Sequence, residues 1–173
     1  FINGAKSYDK VVVQIDKYPE RNRKAEGKIK EILGLKGEKG IDVLSIMKAN
    51  EIRDKFPAEV LKEANLINPN ISTYEINRRK DFRGELIFTI DGSDAKDLDD
   101  AISIRKENNL YVLGVHIADV SHYVKENSEI DREALERGTS IYLINKVIPM
   151  LPKVISNNVC SLNEGSDKLA ISL

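Results

Sequence analysis

Apolar residues along this chain fall in short runs whose period changes, and the changes mark out the elements. Residues 8–16 carry the β-branched run Val11-Val12-Val13 with Ile15, and residues 27–33 alternate polar and apolar with period two; both predict strands. Gly34, Gly37 and Gly40 bracket a short linker. From Ile41 to Ile52, the spacing of Val43, Leu44, Met47 and Ile52 predicts a short amphipathic helix. Pro57 opens a second one, carrying Val60, Leu61, Ala64 and Ile67, which Asn68-Pro69-Asn70 ends. The period then returns to that of strands. Leu86 to Ile90 predict a strand, an acidic stretch follows, and Ala101 to Ile104 predict the next. After a turn at Asn108-Asn109, Leu110 to Val120 form a long apolar strand suited to antiparallel pairing with its predecessor. Ser128 is the expected N-cap of a helix through Arg137, with Asp131 at the N3 position of a capping box and Gly138 ending the helix. Lys168 to Leu173 close on a strand. The fold class expected is α+β.

Composition narrows the function classes more by exclusion than by pointing. The 173 residues suffice for one ordinary domain or two small ones. With 27 basic and 28 acidic side chains the net charge is −1, so nucleic-acid binding would have to come from local patches. A single cysteine, Cys160, excludes an intramolecular disulfide, and with only His116 and His122 beside it a structural zinc site is disfavoured. The chain shows no signal-peptide pattern and no apolar run near 18 residues. The expected location is the cytoplasm, with no membrane partner. Phe1-Ile2-Asn3-Gly4 reads as the middle of a longer chain.

Chemistry concentrates in residues 91–100, which hold Asp91, Asp94, Asp97, Asp99 and Asp100 between apolar runs. No regular element points all of them one way, because Asp99 and Asp100 face opposite sides of a strand and Asp91 is too far back for one helical turn. A loop folded back on itself does. Carboxylates about 5 Å apart repel by on the order of 3 kcal/mol per pair at an effective dielectric near 20. A hard divalent cation removes the conflict, and Mg²⁺ favours a few carboxylates with waters and substrate phosphate oxygens. The residues alone leave a solvated acidic turn open as the alternative. An EF-hand is excluded, since its glycine and glutamate positions hold Lys96 and Ile102.

The pattern Thr89-Ile90-Asp91-Gly92-Ser93-Asp94-Ala95-Lys96-Asp97-Leu98-Asp99-Asp100-Ala101 resembles the catalytic signature of the RNB exoribonuclease family, the ribonuclease II and ribonuclease R group. The likeness continues through Gly114 to Ser121, Arg137 to Tyr142, Ile148 to Pro152 and Ser156 to Asn163, and is closer to the ribonuclease R branch. It implies the end of an OB-type cold-shock domain over residues 1–40, a helical linker over 41–83, and the first part of a mixed α/β RNB catalytic domain over 84–173. It implies 3′-to-5′ hydrolysis of single-stranded RNA to nucleoside 5′-monophosphates, with Mg²⁺, or Mn²⁺, as the cofactor. Asp91, Asp97, Asp99 and Asp100 fall at the family's metal positions. By the same resemblance Asp97 and Asp99 are expected to carry the catalytic role, with Asp99 the residue whose loss should abolish cleavage. Asp91 and Asp100 are the expected direct ligands, fixed by strand ends. Tyr142 matches an aromatic that stacks on the terminal base, whereas a lone tyrosine after a helix reads otherwise as packing.

Elsewhere the readings divide. The tip with Arg21, Arg23 and Lys24 is either a solvated hairpin end or a phosphate-contacting edge of an OB-type barrel, the choice the resemblance favours. Arg78, Arg79, Lys80 and Arg83 are either a solvated linker or a cationic rim that guides phosphates. His116, in an apolar strand, reads as a satisfied sheet histidine, Asp119 as a cap or a partner behind the site, and Cys160 as a small buried hydrophobe. Asn157, Asn158, Ser161 and Asn163 divide equally between lining a ribose or phosphate path and bonding within the loop. Family members continue beyond this stretch with further aromatics, arginines and an OB-type domain, so these residues alone are expected to turn over little RNA and to self-associate through apolar sheet edges. A non-catalytic RNA-binding or regulatory module is the main rival reading.

Overall fold

The computed structural model describes residues 2–144 and 146–173, which form two compact units, residues 1–54 and 55–173. In the first unit, β1 (Asp9–Lys17) and β2 (Glu26–Leu35) pair antiparallel with three register irregularities, as the β-branched and alternating runs predict. Helix α1 (Ile41–Ala49) packs on this hairpin, burying Met47, and Lys48 reaches Glu31 of β2 at 2.7 Å. The helical stretch expected as one linker is therefore divided, with α1 in the first unit and the helices after it in the second.

The second unit is built on a four-stranded sheet in the order β3-β4-β5-β8: β3 (Ile87–Phe88), β4 (Asp100–Glu107), β5 (Leu110–Ala118) and β8 (Ala170–Ser172), every pairing antiparallel. The β4–β5 hairpin turns on Asn108 and Asn109, both at positive φ (47° and 64°), a conformation asparagine tolerates better than most residues and one that matches strand twist. Helices α2 (Ala58–Asn65) and α5 (Glu129–Arg137) contribute Val60, Ala64 and Ile130 to a core shared with Ala118, Leu151, Ile155, Val159 and Cys160. Ser128 caps α5 as expected, accepting from the Asp131 amide at 3.1 Å, while Asp131 answers to the amide of Asn127 rather than of Ser128. Gly138 ends α5 at φ 71°.

Several elements were not foreseen. Helix α3 (Thr73–Arg78) starts at Ser72, whose hydroxyl accepts from the Glu75 amide at 3.2 Å. A four-residue turn, α4 (Val120–Tyr123), is capped by Asp119, so β5 stops at Ala118 rather than Val120. Residues Ile155–Val159 form a π-helical turn, an arrangement frequent at functional sites. A small hairpin of β6 (Ile141–Leu143) and β7 (Lys146–Ile148) completes the unit. Among the described residues no helix is long and apolar enough to cross a membrane.

Candidate active site

The acidic residues occupy the connection between β3 and β4. Strand β3 is shorter than its apolar run predicts, pairing with β4 only at Ile87 and Phe88, and Ile90 lies largely exposed. Asp91 is therefore a loop residue, not a strand end as expected; Asp100 is the first residue of β4, opposite Ile117. The loop turns where the Ala95 amide donates to the Gly92 carbonyl at 3.0 Å.

Its second half is held from two sides. The Ala118 amide at the end of β5 donates to the Asp99 carbonyl (2.9 Å), and the Leu162 amide to the Leu98 carbonyl (2.9 Å). The Ser161 hydroxyl accepts from the Leu98 amide (3.1 Å) and donates to the Lys96 carbonyl (2.9 Å). These bonds make the loop an ordered part of the unit, unlike a solvated turn.

Electrostatics follow from that order. Burial pushes the Asp99 carboxyl above its usual range, and the charges of Asp97, Asp100 and Asp91 push it further the same way. Asp97, Asp100 and Asp91 thus each lie within electrostatic reach of Asp99. The Tyr142 hydroxyl donates to Asp97 Oδ2 at 2.6 Å, a bond that with burial pushes the phenol up to about 12, while its side chain remains 66 % exposed. Among the described residues, no three His, Cys, Asp or Glu side chains are gathered closely enough to hold a metal ion. The donor set itself, four carboxylates with no nitrogen or sulfur, suits a hard cation such as Mg²⁺ or Mn²⁺.

Other candidates sort differently. Arg21, Arg23 and Lys24 lie exposed between β1 and β2 in the first unit, where Glu20 and Arg23 exchange backbone bonds of 3.2 and 3.0 Å. His116 is a satisfied sheet histidine: its ring nitrogens meet Ser103 Oγ at 3.0 Å and Ser172 Oγ at 2.8 Å, and Phe82 lies edge-on. Gly114 makes that possible, since a Cβ there would collide with Ser103 Oγ. Asp119 accepts from Ser121 Oγ (2.8 Å), the His122 amide (3.1 Å) and Arg79 Nη2 (2.7 Å). Cys160 is buried and pushed up to about 12 by burial, which makes its thiol inert.

Arg79 and Arg83 are not a free rim. Arg79 joins Glu75 at 2.7 Å to Asp119, tying α3 to the cap of α4, and Arg83 pairs with Asp81 and Asp167. The Ser72 and Glu75 spacing of a capping box was the available signal for α3. The role of Ser161 has none, because its partners lie more than 60 residues earlier.

A cold shock domain pattern matches residues 1–57 and an RNB domain pattern residues 79–173. Ribonuclease R of Thermotoga maritima is 50 % identical over 99 % of this chain, and Ribonuclease R 2 of Lactococcus lactis 46 % identical over 99 %. Those alignments take up 25 % and 26 % of the two relatives, so the chain spans about a quarter of their length. Among solved structures, Mycoplasma genitalium RNase R in complex with ribose methylated single-stranded RNA superposes with TM-score 0.89 at 36 % identity, over 98 % of this chain and 27 % of that one. Yeast Ssd1, a pseudonuclease, shares the fold alone, with TM-score 0.72 at 21 % identity over 96 % of this chain and 21 % of that one. With the RNB pattern covering more than half of its residues and the ribonuclease R relatives aligned along nearly all of it, the chain belongs to the RNB family, on the ribonuclease R side.

Proposed function

We propose that this chain carries the acidic half of the active site of a ribonuclease that removes nucleotides one at a time from the 3′ end of single-stranded RNA and releases nucleoside 5′-monophosphates. The observation that carries it is Asp99: raised above its normal range by partial loss of hydration and by the charges of three aspartates, on a loop the backbone holds in place. Such a cluster gains nothing as a scaffold and gains its neutrality from a divalent cation. The fold by itself does not separate this reading from a non-catalytic module, since a pseudonuclease shares it.

Asp91, Asp97, Asp99 and Asp100 would hold Mg²⁺, with Mn²⁺ as a substitute. When bound, the cation supplies Lewis-acid polarisation of the phosphate and acidifies a bound water. Asp97 presents one oxygen to Tyr142 and keeps the other for a ligand. The exposed Tyr142 ring offers a base a stacking surface, worth roughly 1–3 kcal/mol and tolerant of sequence. Arg21, Arg23 and Lys24 attract the RNA backbone electrostatically, an effect that salt weakens.

Turnover by the chain alone is expected to be slow. Every arginine from residue 55 onward, Arg78, Arg79, Arg83, Arg105, Arg132 and Arg137, is already ion-paired with a carboxylate of the same unit. Stabilising charge on a reacting phosphate needs donors aimed at it. The chain is also expected to self-associate, through exposed apolar side chains on one face of the sheet such as Phe88, Ile104, Leu113 and Ile117; a monodisperse monomer in light scattering would contradict this. The functional test uses 5′-labelled single-stranded RNA with the chain in excess and Mg²⁺ present. Slow shortening in single-nucleotide steps, releasing 5′-monophosphates and absent in Asp99→Asn, supports the reading. Internal cuts, or products unaffected by Asp99→Asn, overturn it.

A further inference from the structure

Four carboxylates that repel one another cannot set their own spacing, so something outside the loop must. Three of the bonds that hold residues 96–99 come from Ser161 and Leu162, which follow directly on the π-helical turn Ile155–Val159. Ser161 has no exposed surface, and both hydrogen-bonding functions of its hydroxyl are spent on the acidic loop. It donates to the carbonyl of Lys96 and accepts from the amide of Leu98, the residues on either side of Asp97. Its neighbour Leu162 holds the Leu98 carbonyl, part of the peptide group that leads into Asp99.

The seat of Ser161 is itself braced. Its amide donates to the Asn158 carbonyl at 3.1 Å, and the half-buried Lys168 ammonium donates to that same carbonyl at 2.6 Å. Cys160 and Ile155, close by in the chain, are turned into the core of the unit. A hydroxyl is the smallest side-chain group that both donates and accepts strongly. At this point that property bridges a C=O and an N–H two residues apart, which fixes the bend of the chain at Asp97.

We propose that Ser161 is a positioning residue for the metal-holding loop, setting the separation of Asp97 from Asp99 through the peptide groups that flank Asp97. This rests on the reading of the aspartates as metal ligands. Ser161→Ala leaves the part-buried Leu98 amide and Lys96 carbonyl without their partner. Ser161→Cys keeps nearly the same volume but donates and accepts poorly. Ser161→Thr keeps the hydroxyl. Groups that orient metal ligands typically govern affinity by 10- to 100-fold.

The test measures Mn²⁺ affinity of the 173-residue chain by electron paramagnetic resonance, together with amide hydrogen exchange at Leu98 without metal. The expected result is Mn²⁺ binding weakened about 10-fold or more in Ser161→Ala and Ser161→Cys, and held within about threefold in Ser161→Thr. Leu98 exchange is expected to be slow in the parent and fast in Ser161→Ala. Cys160→Ala, equally buried, should lower thermal stability and leave Mn²⁺ affinity unchanged. Should Ser161→Ala fail to fold, the contrast of Cys with Thr decides. Parent-like affinity in Ser161→Ala or Ser161→Cys, or an equal loss in Cys160→Ala, overturns the proposal. A parent with slow Leu98 exchange and no Mn²⁺ binding would instead overturn the metal reading while leaving the clamp in place.

Discussion

Asp119 is buried and Asp99 exposed, yet both carboxyls lose hydration in the same unit, and the fold treats them in opposite ways. Burial pushes Asp119 up, but hydrogen bonds from Ser121 and Arg79 more than reverse it, and the carboxyl ends below its usual range. Burial pushes Asp99 up too, and its neighbours are three more aspartates, so it ends above. One carboxylate has been given its counter-ion by the chain; the other has been left to find one elsewhere. The first arrangement is architecture; the second is the one from which the proposed cation site is read.

The largest effect should come from breaking the satisfied cluster. Arg79→Met leaves Asp119 with an unpaired buried charge, and removing one partner of such a pair costs about 3 kcal/mol. Calorimetric melting should show the transition of the second unit lowered by roughly 6 to 12 °C. A shift under about 2 °C would mean that the ion pair is not structural.

Acid should dissolve the same cluster next. Hydrogen bonds from Arg78 and then Arg79 hold Glu75 down to about 2, against a usual value of 4.5. A depressed carboxylate contributes stability above its unfolded value, and that contribution is lost as pH falls through the folded one. The advantage of the parent over Glu75→Gln should therefore be full above pH 4.5 and fade as pH falls toward about 2. Urea midpoints across that range check it. A constant gap would refute it.

The acidic loop should respond with the reverse sign. In metal-free protein Asp99→Asn removes like-charge repulsion, and after allowance for solvent screening it should stabilise by about 0.5 kcal/mol, where most substitutions of ordered residues destabilise. Added Mg²⁺ should invert the order, raising the parent midpoint and not that of the variant. The smallest effect belongs to Tyr142→Phe, which frees Asp97 Oδ2 from the phenol and should alter Mg²⁺ affinity by about twofold with no change in melting. A tenfold loss would make the phenol part of the metal shell.

Local chemistry was legible in the sequence wherever the partners lie close along the chain. The Asn108-Asn109 turn, the Ser128 cap and the Gly138 stop all depend on a few consecutive residues, and the acidic loop announces itself by its own spacing. The satisfied state of His116 was readable because an apolar strand surrounds it. Less was legible where the answer depends on a distant partner. Arg79 looks like one of four cations until Asp119 is brought to it, and Ser161 looks like any polar loop residue until the π-helical turn seats it beneath Leu98. Strand β3 falls short of its apolar run because Ile90 finds no neighbour to pair with, which periodicity cannot reveal.

The most direct measurement is calorimetric titration of Mg²⁺ into the chain beside an Asp99→Asn, Asp100→Asn double variant, with and without a short single-stranded RNA. Binding by the parent alone, strengthened by RNA, is the predicted result. Equal heats from the two proteins would contradict the account, for the charge left uncompensated at Asp99 would then have no cation to meet.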